Sequence, residues 1–238
     1  MADIAPIQCE HQGLVLNGIM GAPSGPGPHP AVLVMHNAMG LGKPVHNAVR
    51  RLVSLGYLAV GTDMYGPGRQ LTDEEVREHI TPLHGNPSIL RDRIVRWFDT
   101  VAARPDVDTD RIGAIGYCFG GQCVLELARS GADAKAVVSY HGLLGTHARA
   151  EPGTVKGEVA VYCGGRDPWA PPTDIEALRR ELTDAEARHQ ITVFAEAQHA
   201  FTDPDGHELG RDGLAYHPIA DKVSWAGTVA LLEAVLKG

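Results

Sequence analysis

The chain has 238 residues, of which 44% are hydrophobic and 21% charged, and 21 Lys+Arg against 29 Asp+Glu leave a formal charge of −8 with the histidines neutral. A chain of this length can bury a core without disulfides or structural metal, and its composition excludes disorder, collagen and coiled coil. The acidic balance, with its bases scattered, speaks against a nucleic-acid or anionic-membrane partner, whose footprint is basic. The longest apolar run, Ala31 to Met35, is strand length, far short of the roughly 20 residues of a membrane helix. The opening stretch MADIAPIQCEHQG has neither a charged n-region nor an apolar h-region, so no secretory signal is expected. Without one, Cys9, Cys118, Cys123 and Cys163 read as thiols. The expectation is a soluble, cytoplasmic, single domain over residues 1–238, a monomer or small homo-oligomer.

Ala22-Pro23-Ser24-Gly25-Pro26-Gly27-Pro28 reads as a loop joining a hairpin to the first buried strand, Ala31–His36. Val45, Val49, Leu52 and Val53 then recur at helical steps, before a strand over Leu58–Asp63. Thr72-Asp73-Glu74-Glu75 has the form of a capping box, placing a short helix start at Thr72. Leu90, Ile94, Trp97, Phe98 and Val101 mark the next helix, followed by a strand over Arg111–Tyr117 and a helix over Gln122–Arg129. Strands over Ala136–Tyr140, Glu158–Tyr162 and Gln190–Phe194 are interleaved with the helical spacing of Ile175, Leu178 and Leu182, and Val229, Leu232 and Leu236 mark a last helix. Apolar strands alternating with helices predict an α/β protein with a mostly parallel central sheet and helices on both faces. In such sheets ligands bind beyond the carboxyl ends of the strands.

Three of those strand ends carry chemistry. Gly116-Tyr117-Cys118-Phe119-Gly120-Gly121 joins a strand to a helix, and its glycines permit the sharp turn that projects a nucleophile at the apex. A thiol there feels the helix N-terminus, which favours thiolate. Asp167 follows a strand and a Gly-Gly turn, and His199 follows the next strand. Singly, these are a buried cysteine, a turn-forming aspartate and a loop histidine. In the order nucleophile, acid, histidine they match the triad of an α/β-hydrolase, and that is the predicted fold. The oxyanion donors are expected from the backbone N–H of Phe119 and, in the loop His36-Asn37-Ala38-Met39-Gly40, that of Ala38. The 12 histidines form no zinc pattern, and His141 and His147 read as pocket edges or composition. Cys118 and Cys123 lack redox spacing, and the glycines match neither a phosphate-binding loop nor a dinucleotide fingerprint. No cofactor and no metal is expected.

Val32-Leu-Val-Met-His-Asn-Ala-Met-Gly-Leu41, Gly61-Thr-Asp-Met-Tyr-Gly66, Gly116-Tyr-Cys-Phe-Gly-Gly121, Gly164-Gly-Arg-Asp-Pro168 and His199-Ala-Phe201 together resemble the dienelactone hydrolase (carboxymethylenebutenolidase-like) family, over roughly residues 30 to 235. The resemblance implies a cofactor-free Cys/Asp/His hydrolase of cyclic or other small esters. It also implies a Glu at the position of Asn37, where it would contact the thiol, and an arginine at the position of Asp203, where it would hold a substrate carboxylate. A second such arginine corresponds to Arg77. His36, Asn37, Arg77 and Asp203 are therefore the candidate tuning or substrate-binding residues. With Asp203 at the pocket, neutral esters or lactones are expected to be preferred over dienelactone itself. The alternatives are a cyclase, isomerase or acyl transferase on the same site, or a lactone-binding protein that is not an enzyme.

Overall fold

The computed structural model describes residues 3–206 and 211–238. In chain order the elements are β1 (Ile4–His11), β2 (Leu14–Gly21), β3 (His29–Met35), α1 (Lys43–Ser54), β4 (Leu58–Thr62), α2 (Asp73–Gly85) and α3 (Pro87–Ala102). There follow β5 (Val107–Tyr117), α4 (Phe119–Arg129), β6 (Ala136–Tyr140), β7 (Glu158–Gly164), α5 (Pro172–Asp184), β8 (His189–Phe194) and α6 (Pro218–Leu236). The strands form one eight-stranded sheet in the order β1-β2-β4-β3-β5-β6-β7-β8. The β1/β2 and β2/β4 pairs are antiparallel, and every pair from β4 to β8 is parallel.

Side chains that alternate along the strands serve two cores. Leu33 and Met35 of β3 pack on one face with Trp97 of α3, Val124 of α4 and Leu178 of α5. Val32 and Val34 pack on the other with Val49 and Leu52 of α1 and Leu232 and Leu236 of α6. The expected elements are present, with boundaries that differ where tertiary contacts decide them. The capping box at Thr72 is formed, its hydroxyl accepting the Glu75 N–H, but α2 runs for 13 residues rather than as a short start. β5 begins at Val107, four residues before the apolar run, because Val107 pairs with His29 beyond a register shift.

α6 extends 11 residues further toward the N-terminus than the spacing of Val229, Leu232 and Leu236 suggests. Its buried side chains recur every fourth residue, but Ala220, Ser224 and Thr228 are too small or polar to register as an apolar stripe. They allow close approach: Thr228 hydrogen-bonds the Tyr140 hydroxyl.

A buried ionic network fixes the segment that follows β6. Arg129 spans Glu126 (3.0 Å) and Glu181 (2.8 Å) and donates to the Leu144 carbonyl (2.9 Å). Arg91 joins Glu126 (2.6 Å) to the Ala148 carbonyl (2.7 Å), and the Ala150 N–H donates to Glu181 (3.0 Å). Each buried charge thus has an opposite charge and further hydrogen-bond partners, which offsets its desolvation.

Candidate active site

Cys118 sits between β5 and α4 with φ 54° and ψ −115°, a conformation that costs a non-glycine residue about 1–3 kcal/mol. Hydrogen bonds on both sides hold it there. Its N–H donates to the Tyr140 carbonyl (3.0 Å), and its own carbonyl accepts from the Gly121 N–H (2.9 Å) as α4 begins. The flanking glycines are required by contact. A Cβ on Gly116 would lie 2.0 Å from the Gly120 carbonyl oxygen, and one on Gly120 would lie 2.4 Å from that of Met35 and 2.6 Å from that of His36. These are backbone atoms of α4 and of the end of β3 and cannot swing away. Gly120→Ala is therefore expected to cost about 3 kcal/mol, at the upper end of overpacking effects, and to lower Tm by about 6–12 °C in a thermal melt. An unchanged Tm would mean that the elbow is looser than its contacts indicate.

Asp167 lies just beyond β7, where its Oδ1 accepts the Trp169 N–H (2.8 Å), and its Oδ2 is 2.7 Å from Nδ1 of His199. Both side chains are buried, at 4% exposure each. The His199 backbone is pinned to the segment before α6: its N–H donates to the Gly213 carbonyl (3.0 Å) and its carbonyl accepts from Ala215 (3.2 Å). With Nδ1 held by Asp167, Nε2 is left for the sulfur, and His199 hydrogen-bonds the Cys118 thiol. The ring is wedged edge-on between Trp169 (5.0 Å) and His141 (5.1 Å). The other carboxylates near His199 in sequence are engaged elsewhere: Glu196 pairs with Arg166 at the surface, and Oδ1 of Asp203 accepts the Asp205 N–H (3.1 Å).

The electrostatics favour charge separation. Burial works to raise the Cys118 pKa, but the adjacent His199, its hydrogen bond and the backbone N–H groups of Phe119 and Ala38 bring it below the usual thiol value. Against its own burial, the Cys118 sulfur and Asp167 raise His199 to about 10. Burial pushes Cys9 and Cys123 up, and takes Cys163 to about 12. An ordinary thiol loses about tenfold in thiolate for each pH unit below its pKa near 8.5. Because the Cys118 pKa is depressed, its alkylation by iodoacetamide should fall off at lower pH than that of an ordinary thiol. Peptide mapping should find Cys118 modified well before the other three. An ordinary thiol profile would refute the thiolate–imidazolium pair.

The loop after β3 brings the N–H of Ala38 beside the sulfur, opposite that of Phe119. Asn37 also borders the cavity, but its Oδ1 accepts the Met39 N–H (2.9 Å) and so braces its own loop. Two expectations are corrected. His36 is fully buried beneath the loop, with Nε2 accepting the Met64 N–H (3.0 Å) and Nδ1 against the Asn37 carbonyl (2.5 Å), so it supports the loop rather than meeting a ligand. Arg77 is exposed on α2 and does not line the cavity, because the face of that helix turned inward carries Ile80 instead.

The cavity over Cys118 measures about 750 Å³. Asp203 borders it, as expected, and also starts the turn that Gly206 closes by donating to its carbonyl (3.1 Å). Lys43, Arg50, Arg51 and Arg211 border it too, and the sequence reading assigned none of them to the site. Only the i, i+7 and i, i+8 spacing of Lys43, Arg50 and Arg51 along α1 hinted at a shared face. His141 is a pocket residue: it follows β6 at φ 37°, is 2% exposed, and its Nε2 meets Thr202 Oγ1 at 2.8 Å. Among the described residues no cluster of His, Cys, Asp or Glu could hold a metal ion.

The chain matches the Dienelactone hydrolase family over residues 16–236. A solved structure named m3DLH is 34% identical and superposes with a TM-score of 0.92, covering 98% of both chains. A dienelactone hydrolase-like promiscuous phosphotriesterase, P91, from metagenomic libraries is 30% identical with a TM-score of 0.93, covering 99% of both chains. A Bradyrhizobium protein described as a probable 2-oxo-3-(5-oxofuran-2-ylidene)propanoate lactonase is 27% identical over 222 residues, 88% of this chain and 85% of that one. The parallel sheet with helices on both faces is the α/β-hydrolase fold of these relatives. With a match that leaves only the first strand and the chain ends outside it, this protein belongs to the dienelactone hydrolase family of hydrolases.

Proposed function

We propose that the protein hydrolyses small carboxylic esters or lactones through a thioester on Cys118, with His199 as the proton carrier and Asp167 as its orienter. The observation that carries this reading is the convergence on one sulfur of a histidine already bonded to a buried aspartate and of two backbone N–H donors. The Cys118 thiolate attacks the carbonyl carbon, and the carbonyl electron pair moves to oxygen, where the N–H groups of Phe119 and Ala38 receive it. Collapse of the tetrahedral species expels the alkoxide, which takes the Nε2 proton of His199 and leaves as the alcohol. His199, now neutral, takes a proton from water as that water attacks the thioester. The second collapse releases the acid and restores the thiolate–imidazolium pair. No cofactor enters these steps.

Intact-protein mass measurement after rapid mixing with an activated ester tests this. A transient acyl adduct on Cys118 with continuing turnover is the expected result. A stable adduct without turnover would indicate acyl transfer, and no adduct would indicate a binding protein.

The charge of the cavity revises the expected substrate preference. Four cationic side chains border it beside Asp203, Asp205 and Asp221, so Asp203 does not by itself set the sign of the field. For a matched neutral ester and carboxylate-bearing ester, kcat/KM should differ by less than about threefold in wild type. Asp203→Arg should then shift the ratio about tenfold toward the carboxylate, corresponding to one or two kcal/mol at a solvated rim. A ratio that does not move would remove Asp203 as a selectivity element.

A further inference from the structure

A second cavity of about 360 Å³ lies on the other side of Leu143 and Trp169, which border both cavities. It is lined by Leu83, Leu90 and Leu144 together with Gln122. Among the described residues no Lys or Arg borders it, in contrast to the four cations of the first cavity. Trp169, which separates the cavities, packs against the His199 ring and is still 42% exposed. The wall beyond it is held in place, because Arg129 grips the Leu144 carbonyl from the buried ionic network.

We propose that this second cavity is a substrate subsite that takes an uncharged apolar arm of about four to six carbons. The proposal rests on the ester-hydrolase reading of Cys118 and extends it. The substrate is then two-lobed: its reacting carbonyl sits over Cys118 in the cation-bordered cavity, and its apolar arm passes the Leu143–Trp169 partition. The charge contrast between the lobes sets the direction, since an anionic arm meets no countercharge in the second one. Two carboxylates border it: both oxygens of Glu126 are taken by Arg91 and Arg129, and Asp174, at the start of α5, accepts the Thr173 hydroxyl at 3.3 Å.

Gly145 borders this cavity, and a Cβ built on it meets nothing within 4 Å, so a larger side chain at this border is accepted without disturbing the backbone. The test measures kcat/KM for ethyl acetate against ethyl hexanoate, and for ethyl acetate against hexyl acetate, in wild type and Gly145→Phe. A buried methylene contributes about fourfold, so a partly open groove should favour the six-carbon arm by about tenfold or more in one of the two series. Gly145→Phe should abolish that preference. If neither series shows a preference that the substitution reduces, the subsite is refuted.

Calorimetric titration with hexanamide needs no turnover and separates the two readings. Weaker hexanamide binding in Gly145→Phe, in a protein that hydrolyses no ester, keeps the cavity and removes the hydrolase. Ester hydrolysis with no hexanamide binding, or with equal binding in both proteins, removes the cavity and keeps the hydrolase.

Discussion

Cys118→Ala should lower ester turnover by at least about four orders of magnitude and remove the acyl adduct, because no other group on the site can form a covalent intermediate with the same donors around it. The closest competing thiol, Cys123, is fully buried in the core under α4, and its pKa is raised first by burial and then by Glu126. Cys123→Ala should keep kcat within about twofold while costing about 1 kcal/mol of stability for the lost packing. The decisive comparison is the adduct mass and steady-state rate of the two variants side by side. Equal losses would mean that the two thiols act as a pair, which their separate environments do not support. The alanine protein should remain folded, since Cys118 is only partly buried against the core that holds Phe119 and the change removes a single sulfur atom.

Asp167→Asn should cost about ten-thousandfold in kcat, comparable to replacing the orienting carboxylate in other nucleophile–histidine–acid sites. The 2.7 Å contact to Nδ1 fixes which imidazole nitrogen faces the sulfur, and an amide in that place can present its N–H group and turn the ring the wrong way. A second readout follows from the charge. The Cys118 sulfur and Asp167 together hold His199 at about 10, so removing the aspartate lowers it. Loss of the imidazolium raises the thiol pKa in turn, and the alkylation profile of Cys118 should move to higher pH. A merely structural aspartate would lower activity through stability and leave that profile in place. Glu196→Gln is the matched control. Its carboxylate pairs with Arg166 at the surface, so both rate and profile should stay within about twofold of wild type.

Much of this molecule is legible along the chain because its determinants are local. β3, β4, β6 and β7 are short runs of apolar residues buried on both sides, and such runs have few other destinations in a protein of this size. The turn glycines around Cys118, the Thr72–Glu75 capping box and the order of Cys118, Asp167 and His199 are contiguous or ordered signals that need no knowledge of packing. Asn37 is legible too, as an identity, but its contact is not. Only the folded loop shows the amide spent on the Met39 N–H.

Other features were decided by tertiary structure. The N-terminal hairpin is an edge pair with irregular exposure, so β1 and β2 carry no clean period of two. The first half of α6 is helical because Ala220, Ser224 and Thr228 fit closely against the sheet, a packing effect without an apolar signature. The charge of the site lay outside sequence reading for the same reason. Lys43, Arg50 and Arg51 from α1, and Arg211 from the segment before α6, are far apart in the chain and meet at one cavity only when the sheet places both segments at the carboxyl ends of its strands. His36 and Arg77 show the converse. Each lies next to a site motif in sequence, yet one is turned beneath the loop and the other out to solvent, because strand alternation and helix phase, and not proximity along the chain, set the direction of a side chain.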